Sequence, residues 1–72
     1  MYEVILDRFE GNQIKMIQYL CNELQYDLSD AILTLNQLPK VIYTTPLQVK
    51  VLKLMSDLSD LGGIARQRKL KD

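Results

Sequence analysis

The hydrophobic pattern changes its period early in the chain, and this change limits the folds that the chain can adopt. Residues 2–9 alternate between two sides, with Tyr2, Val4 and Leu6 on one of them. A period of two residues is that of a β-strand, whereas the spacings of three and four that follow are those of an amphipathic helix. The first strand and the first helix therefore indicate a mixed α and β protein.

Capping and helix-breaking residues divide the next stretch into two helices. Asn12 follows Glu10-Gly11 and can cap a helix that runs to about residue 24 or 25. Asp27 or Ser29 can cap a second helix, which Pro39 ends because the residue before a proline is disfavoured in helical geometry.

The remaining residues predict strand, helix and strand. Residues 40–44 are β-branched and aromatic, and Thr45-Pro46 opens a third helix that Gly62-Gly63 ends. Residues 64–70 form a polar third strand, as expected at a sheet edge. We therefore predict one α+β domain over residues 1–72, a two-layer β-α-α-β-α-β sandwich with three helices on a three-stranded sheet.

Such a sandwich leaves one face of the sheet without a helix layer. The aliphatic and aromatic residues expected on that open face, depending on strand register, are Ile5, Phe9 and Tyr43.

Composition argues against catalysis and against a bound metal. The chain has no histidine and one cysteine, Cys21, so an internal disulfide is impossible and a zinc site would need carboxylates or a second chain. It has neither a glycine-rich loop that opens a helix nor a base beside its serines. We expect no enzyme activity, no cofactor and no metal.

The sequence also bears on location. No apolar run approaches the roughly 20 residues of a membrane span, and the first ten residues lack the basic-then-apolar order of a signal peptide. We expect a cytoplasmic protein without a membrane partner.

Charge is balanced in total but not along the chain. Residues 1–30 carry two basic and six acidic side chains, a net charge of −4, and residues 31–72 carry seven and three, a net charge of +4. The two halves can lie side by side and complement each other. Alternatively, the chain presents a basic edge to a partner, formed by Arg66, Arg68, Lys69 and Lys71. Nucleic acid is a less expected partner because the four tyrosines are scattered over separate elements.

The chain resembles a known family from its first strand to Pro39. An aromatic-acidic-aliphatic first strand at residues 2–6, the cap at Asn12 and the apolar positions of the first two helices resemble the C-terminal domain of the bacterial ribosomal stalk protein. Those apolar positions are Ile14, Met16, Ile17, Leu20, Leu28, Ala31 and Leu35. Beyond Pro39 the resemblance is one of pattern only. It implies the same sandwich fold, which the Clp protease adaptor family also uses.

In the stalk family this domain recruits translational GTPases through its first helix and the turn into the second. We number the helices in chain order, α1 from Asn12 to about residue 24 or 25 and α2 from Asp27 or Ser29 to Pro39. The resemblance therefore implies a partner-binding surface on these two helices, which we call the α1/α2 surface. It consists of Ile14, Ile17, Gln18, Cys21, Leu28 and Ile32. The family's basic positions fall on Gln13, Gln18, Cys21 and Ile32 in this sequence, and its turn glycines fall on Gln25 and Asp27.

The first helix itself supports a binding role. Its apolar arc spans about 220° around the helix, more than the roughly 100° that one core face requires. Either another helix packs over the margin at Ile14, Ile17 and Cys21, or that margin binds a partner protein or a second copy. We expect a non-catalytic protein-interaction domain, with a translation-linked stalk paralogue as the alternative.

Overall fold

The computed structural model describes residues 1–71 and has the element order expected from the sequence pattern. The bounds are β1 Tyr2–Phe9, α1 Gln13–Glu23, α2 Leu28–Asn36, β2 Lys40–Thr45, α3 Gln48–Asp60 and β3 Gly63–Lys69. The strands form an antiparallel sheet in the order β2-β1-β3. The predicted α+β class and element order are confirmed.

One hydrophobic core lies between the helices and one face of the sheet. The central strand contributes Val4 and Leu6, both fully buried, because they alternate onto the helix side. The other core residues are Met16, Leu20, Ala31, Ile42, Val51, Leu54 and Leu58. Every helix therefore supplies at least one buried side chain, which fixes all three helices on the same face of the sheet.

Local signals explain most of the element boundaries. The side-chain oxygen of Asn12 accepts a hydrogen bond from the backbone N–H of Lys15 at 3.0 Å, as a helix N-cap should. Gly62 adopts a φ of +91°, the left-handed conformation that ends α3. A Cβ atom on Gly11 would overlap the carbonyl oxygen of Leu61, so glycine is required where these two loops meet.

Two helix boundaries differ from the prediction. Helix α2 ends at Asn36, short of Pro39, and α3 begins at Gln48, two residues after Pro46. The Thr45 hydroxyl accepts a bond from the backbone N–H of Leu47 at 3.2 Å, which holds the chain in a turn before the helix starts. Leu47 is consequently outside the core and 49% exposed.

The open face of the sheet also differs from the prediction. Ile5 lies on that face but is only 4% exposed, whereas Phe9 and Tyr43 pack against the core on the helix side. The side chain of Ile5 lies between its cross-strand neighbours Val41 and Arg66. A bulge in β2 beside Ile5 lets both Ile42 and Tyr43 contact the core, which simple alternation does not predict.

No helix within residues 1–71 is long and apolar enough to cross a membrane.

Candidate protein-binding surface

Helix α1 buries one of its sides in the core and carries an exposed aliphatic residue on the opposite side. Met16 and Leu20 are fully buried in the core, whereas Ile14 is 68% exposed. The cap at Asn12 places Ile14 in the first turn of the helix, away from the inward line that Met16 and Leu20 define. Ile14 therefore presents an aliphatic side chain that the domain does not cover.

The other residues that α1 contributes to the α1/α2 surface differ in how deeply they are buried. Gln18 is exposed, whereas Ile17 and Cys21 are half-buried and pack against the core. A charged residue in place of Ile17 would thus disturb the core as well as the surface. Binding is better tested at Ile14 and Leu28.

Helix α2 also has an uncovered aliphatic side. Ala31 and Thr34 are buried, while Leu28 is 63% exposed and Ile32 is 39% exposed. Leu28 and Ile32 are four residues apart and therefore share one side of the helix. Since α1 and α2 contact each other, the six predicted residues occupy one helix pair.

The turn between the two helices is held by the backbone and by a tyrosine. Gln25 adopts a φ of 61°, and the backbone N–H of Tyr26 donates to the carbonyl of Leu20 at 3.1 Å. The Tyr26 hydroxyl donates to the carbonyl of Ile42 in β2 at 2.7 Å, and burial raises the pKa of Tyr26. These contacts attach the start of α2 to the sheet and so set the position of Leu28.

A polar network attaches α1 to α3. The Tyr19 hydroxyl donates to Asp57 Oδ2 at 2.9 Å, and Lys53 Nζ donates to the same oxygen at 2.9 Å. Burial, together with the bond to Asp57, raises the pKa of Tyr19, while the bond from Lys53 lowers the pKa of Asp57. The network joins α1 to α3 and acts together with the burial of Met16 and Leu20, which sets the rotation of α1.

Two residues of the predicted basic edge are paired with acidic residues of β1, and two are not. Arg68 Nε donates to Glu3 Oε1 at 2.8 Å, and Arg66 Nε donates to Asp7 Oδ2 at 3.0 Å. Both acids lie in the first half of the chain, so the two halves do complement each other in charge. Lys69 and Lys71 are exposed and form no ion pair within residues 1–71.

Several exposed aliphatic residues lie outside the surfaces that the sequence predicts. On α3, Val49 is 71% exposed and Leu52 is 55% exposed, and on α2 Leu33 is 52% exposed. Val49 and Leu52 fall outside the inward line of Val51, Leu54 and Leu58. Their signal in the sequence is an apolar content greater than one helix face can hide.

Comparison with protein-family models and with curated proteins finds no match to this chain.

Proposed function

We propose that this chain is a small, non-catalytic protein-interaction domain that acts in the cytoplasm. It binds another protein, or a second copy of itself, through the α1/α2 surface. The observation that carries the proposal is the 68% exposure of Ile14 together with the 63% exposure of Leu28. Both side chains lie outside the core cluster and are accessible to a partner.

Burial of such a surface contributes favourably to binding, and further contacts with the partner supply the rest of the free energy that association costs. Full burial of one aliphatic side chain contributes about 1.5–3 kcal/mol, so partial burial of Ile14 and Leu28 at an interface contributes a few kcal/mol in total. The polar Gln18 and the half-buried Ile17 and Cys21 would surround these two residues with adaptable contacts. This combination is typical of a helix or loop docking on a helix pair.

Charge indicates the kind of partner. Residues 13–37 contain one basic side chain, Lys15, and three acidic ones, Glu23, Asp27 and Asp30, a net charge of −2. Long-range attraction depends on the product of the charges, so we expect a partner with a neutral or basic face.

The proposal can be tested by affinity capture from native lysate with a double substitution, Ile14→Asp with Leu28→Asp. We expect proteins that the wild-type chain retains to be lost with the double variant. The matched control is Ile64→Asp, because Ile64 is also an exposed isoleucine, 51% accessible, but lies on β3. Circular dichroism verifies that each bait is folded. Equal recovery with all three baits would remove the α1/α2 surface from the function.

The alternative is a translation-linked role, in which the same surface contacts a translational GTPase or the ribosome. It is supported by the element order and by the Asn12 cap, both of which agree with the resemblance to the ribosomal stalk domain. Purified elongation factors provide the test. Binding that Ile14→Asp abolishes would favour this alternative, and no binding would favour a partner outside translation.

A further inference from the structure

A second surface lies on the side of α2 away from the α1/α2 surface. Here the turn before α2, α2 itself and the start of β2 enclose a cleft of about 410 Å³. Its lining includes Asp27, Asp30 and Leu33 from the turn and α2 and Lys40 from β2, so it holds two acidic groups and one basic group. We call it the acidic cleft. Asp30 forms no ion pair with any residue in the described part of the chain.

The start of α3 carries the opposite charge beside exposed aliphatic side chains. Residues 46–55 contain Lys50 and Lys53 and no acidic residue. The exposed aliphatic residues of this segment are Leu47, Val49 and Leu52, of which Val49 and Leu52 lie on α3 itself. We call Val49, Lys50, Leu52 and Lys53 the basic α3 patch. Lys53 bonds Asp57 on its own helix, whereas Lys50 has no ion-pair partner within residues 1–71.

The acidic cleft and the basic α3 patch adjoin within one molecule. Leu24 lines the acidic cleft, and it also lines a smaller cleft of about 170 Å³ together with Lys50, Lys53 and one acidic residue of α1, Glu23. The two surfaces therefore lie at the same end of the domain. One copy can present both of them to a neighbour at once.

We propose that the occupant of the acidic cleft is the basic α3 patch of a second copy, in a two-fold symmetric dimer. Two acidic clefts face to face would bring like charges together, and so would two basic patches. Cleft against patch instead places Lys50 opposite Asp27 and Asp30, with Val49 against Leu33. A two-fold axis makes this contact twice, once in each direction.

The dimer is weak and sensitive to salt. A stable interface takes about 800 Å² from each partner, and the whole domain exposes 4781 Å². We expect the two surfaces, which lie at one end of the domain, to bury less than this. Association is therefore concentration-dependent, and salt weakens it because its charges are exposed.

Analytical ultracentrifugation of the purified chain tests the dimer with two charge reversals, Asp30→Lys and Lys50→Glu. In a dimer of either variant with itself, both cleft-to-patch contacts bring like charges together. We therefore expect the dissociation constant of that dimer to rise by about tenfold or more. An equimolar mixture of the two variants has native-like charge pairing in both contacts of the mixed dimer. We expect the mixture to dimerise within about threefold of wild type, by the same complementarity.

The controls separate specific pairing from net charge and from unfolding. Glu10→Lys and Lys15→Glu change net charge equally but lie at the opposite end of α1, and we expect them to dimerise like wild type. If a charge reversal fails to fold, the neutral variant at the same position, Asp30→Asn or Lys50→Gln, is measured instead. A wild-type chain that stays monomeric at its highest soluble concentration would overturn the proposal, as would reversals without effect or a mixture that fails to dimerise.

This dimer goes beyond the proposed function because it uses different residues. The Ile14→Asp, Leu28→Asp double variant keeps the acidic cleft and the basic α3 patch, so we expect it to dimerise like wild type. Lost dimerisation in the charge reversals with retained partner capture would support this inference alone. Lost capture in the double variant with no dimer in wild type would support the proposed function alone.

Discussion

The open face of the sheet and the outer side of the α1-α2 pair both face solvent, but they differ in how far their aliphatic side chains are exposed. On the sheet, Ile5 is 4% exposed and is flanked by the Arg68–Glu3 and Arg66–Asp7 ion pairs. On the helix pair, Ile14 and Leu28 are more than 60% exposed. The sheet face pairs its charges and covers Ile5, although Ile64 on the same face is 51% exposed, whereas the helix pair leaves both Ile14 and Leu28 uncovered.

This difference indicates where a partner gains most by binding. A partner on the sheet face would have to replace arginine–carboxylate pairs that the chain already makes. A partner on the α1/α2 surface displaces only water from aliphatic side chains, which is favourable. We therefore expect the sheet face to contribute mainly to stability, and we propose the helix pair as the binding surface.

The largest expected effect contrasts two residues of α1. Leu20→Ala removes a fully buried side chain and should lower the free energy of unfolding by about 2–5 kcal/mol. Ile14→Ala should change it by less than about 0.5 kcal/mol, because the side chain is already in solvent. Urea denaturation measures both. Similar losses for the two variants would mean that Ile14 belongs to the folded core.

The next effect concerns Ile5 on the open face. Ile5→Ala should cost about 2 kcal/mol, at the low end of the range for buried aliphatic side chains, because one layer of strand side chains covers it. Thermal and urea denaturation measure the loss. Ile64→Ala, at an exposed position on β3, is the control and should be nearly neutral. A neutral Ile5→Ala would show that the open face does not contribute to stability.

A smaller effect is expected from the ion pair between Glu3 and Arg68. The arginine side chain is 56% exposed, so the pair is screened by solvent although Glu3 is only 16% exposed. A double-mutant cycle with Glu3→Gln and Arg68→Gln should give a coupling energy below about 1 kcal/mol that falls with added salt. A coupling that is unaffected by salt would contradict this description of the face.

The smallest effect is a pH dependence at Asp57. The bonds from Lys53 and Tyr19 lower its pKa in the folded state, so its contribution is present above the ordinary value of 3.8 and is lost as pH falls through the lowered value. Asp57→Asn should therefore flatten the acid limb of the stability curve. Tyr19→Phe keeps the bond from Lys53 and should retain most of that limb. An acid limb that is unchanged in Asp57→Asn would exclude this contribution.

The sequence pattern predicts the fold well because the relevant signals are local. Period-two alternation identifies β1, the cap at Asn12 starts α1, and Gly62 ends α3 in the left-handed conformation that glycine favours. The start of α3 could not be predicted in the same way. There the Thr45 hydroxyl bonds the backbone of Leu47 and delays the helix beyond Pro46.

The candidate site is only partly accessible to sequence reasoning. An apolar arc that is too wide for one core face points to α1, but it does not show that Ile14 is exposed while Ile17 is half-buried. That division depends on how α1 packs against the rest of the core, including the bond from Tyr19 to Asp57, whose partners are 38 residues apart. The pairing of Arg66 and Arg68 with acids on β1 likewise depends on strand register.

Site-specific photo-crosslinking from the α1/α2 surface tests the central claim most directly. A photoreactive residue in place of Gln18, which is exposed between Ile14 and Cys21 on the helix surface, should form covalent adducts with a partner protein in cells. The same residue in place of Gln67, exposed on β3, should form none with that partner. Adducts at Gln67 but not at Gln18 would contradict the assignment of binding to the helix pair.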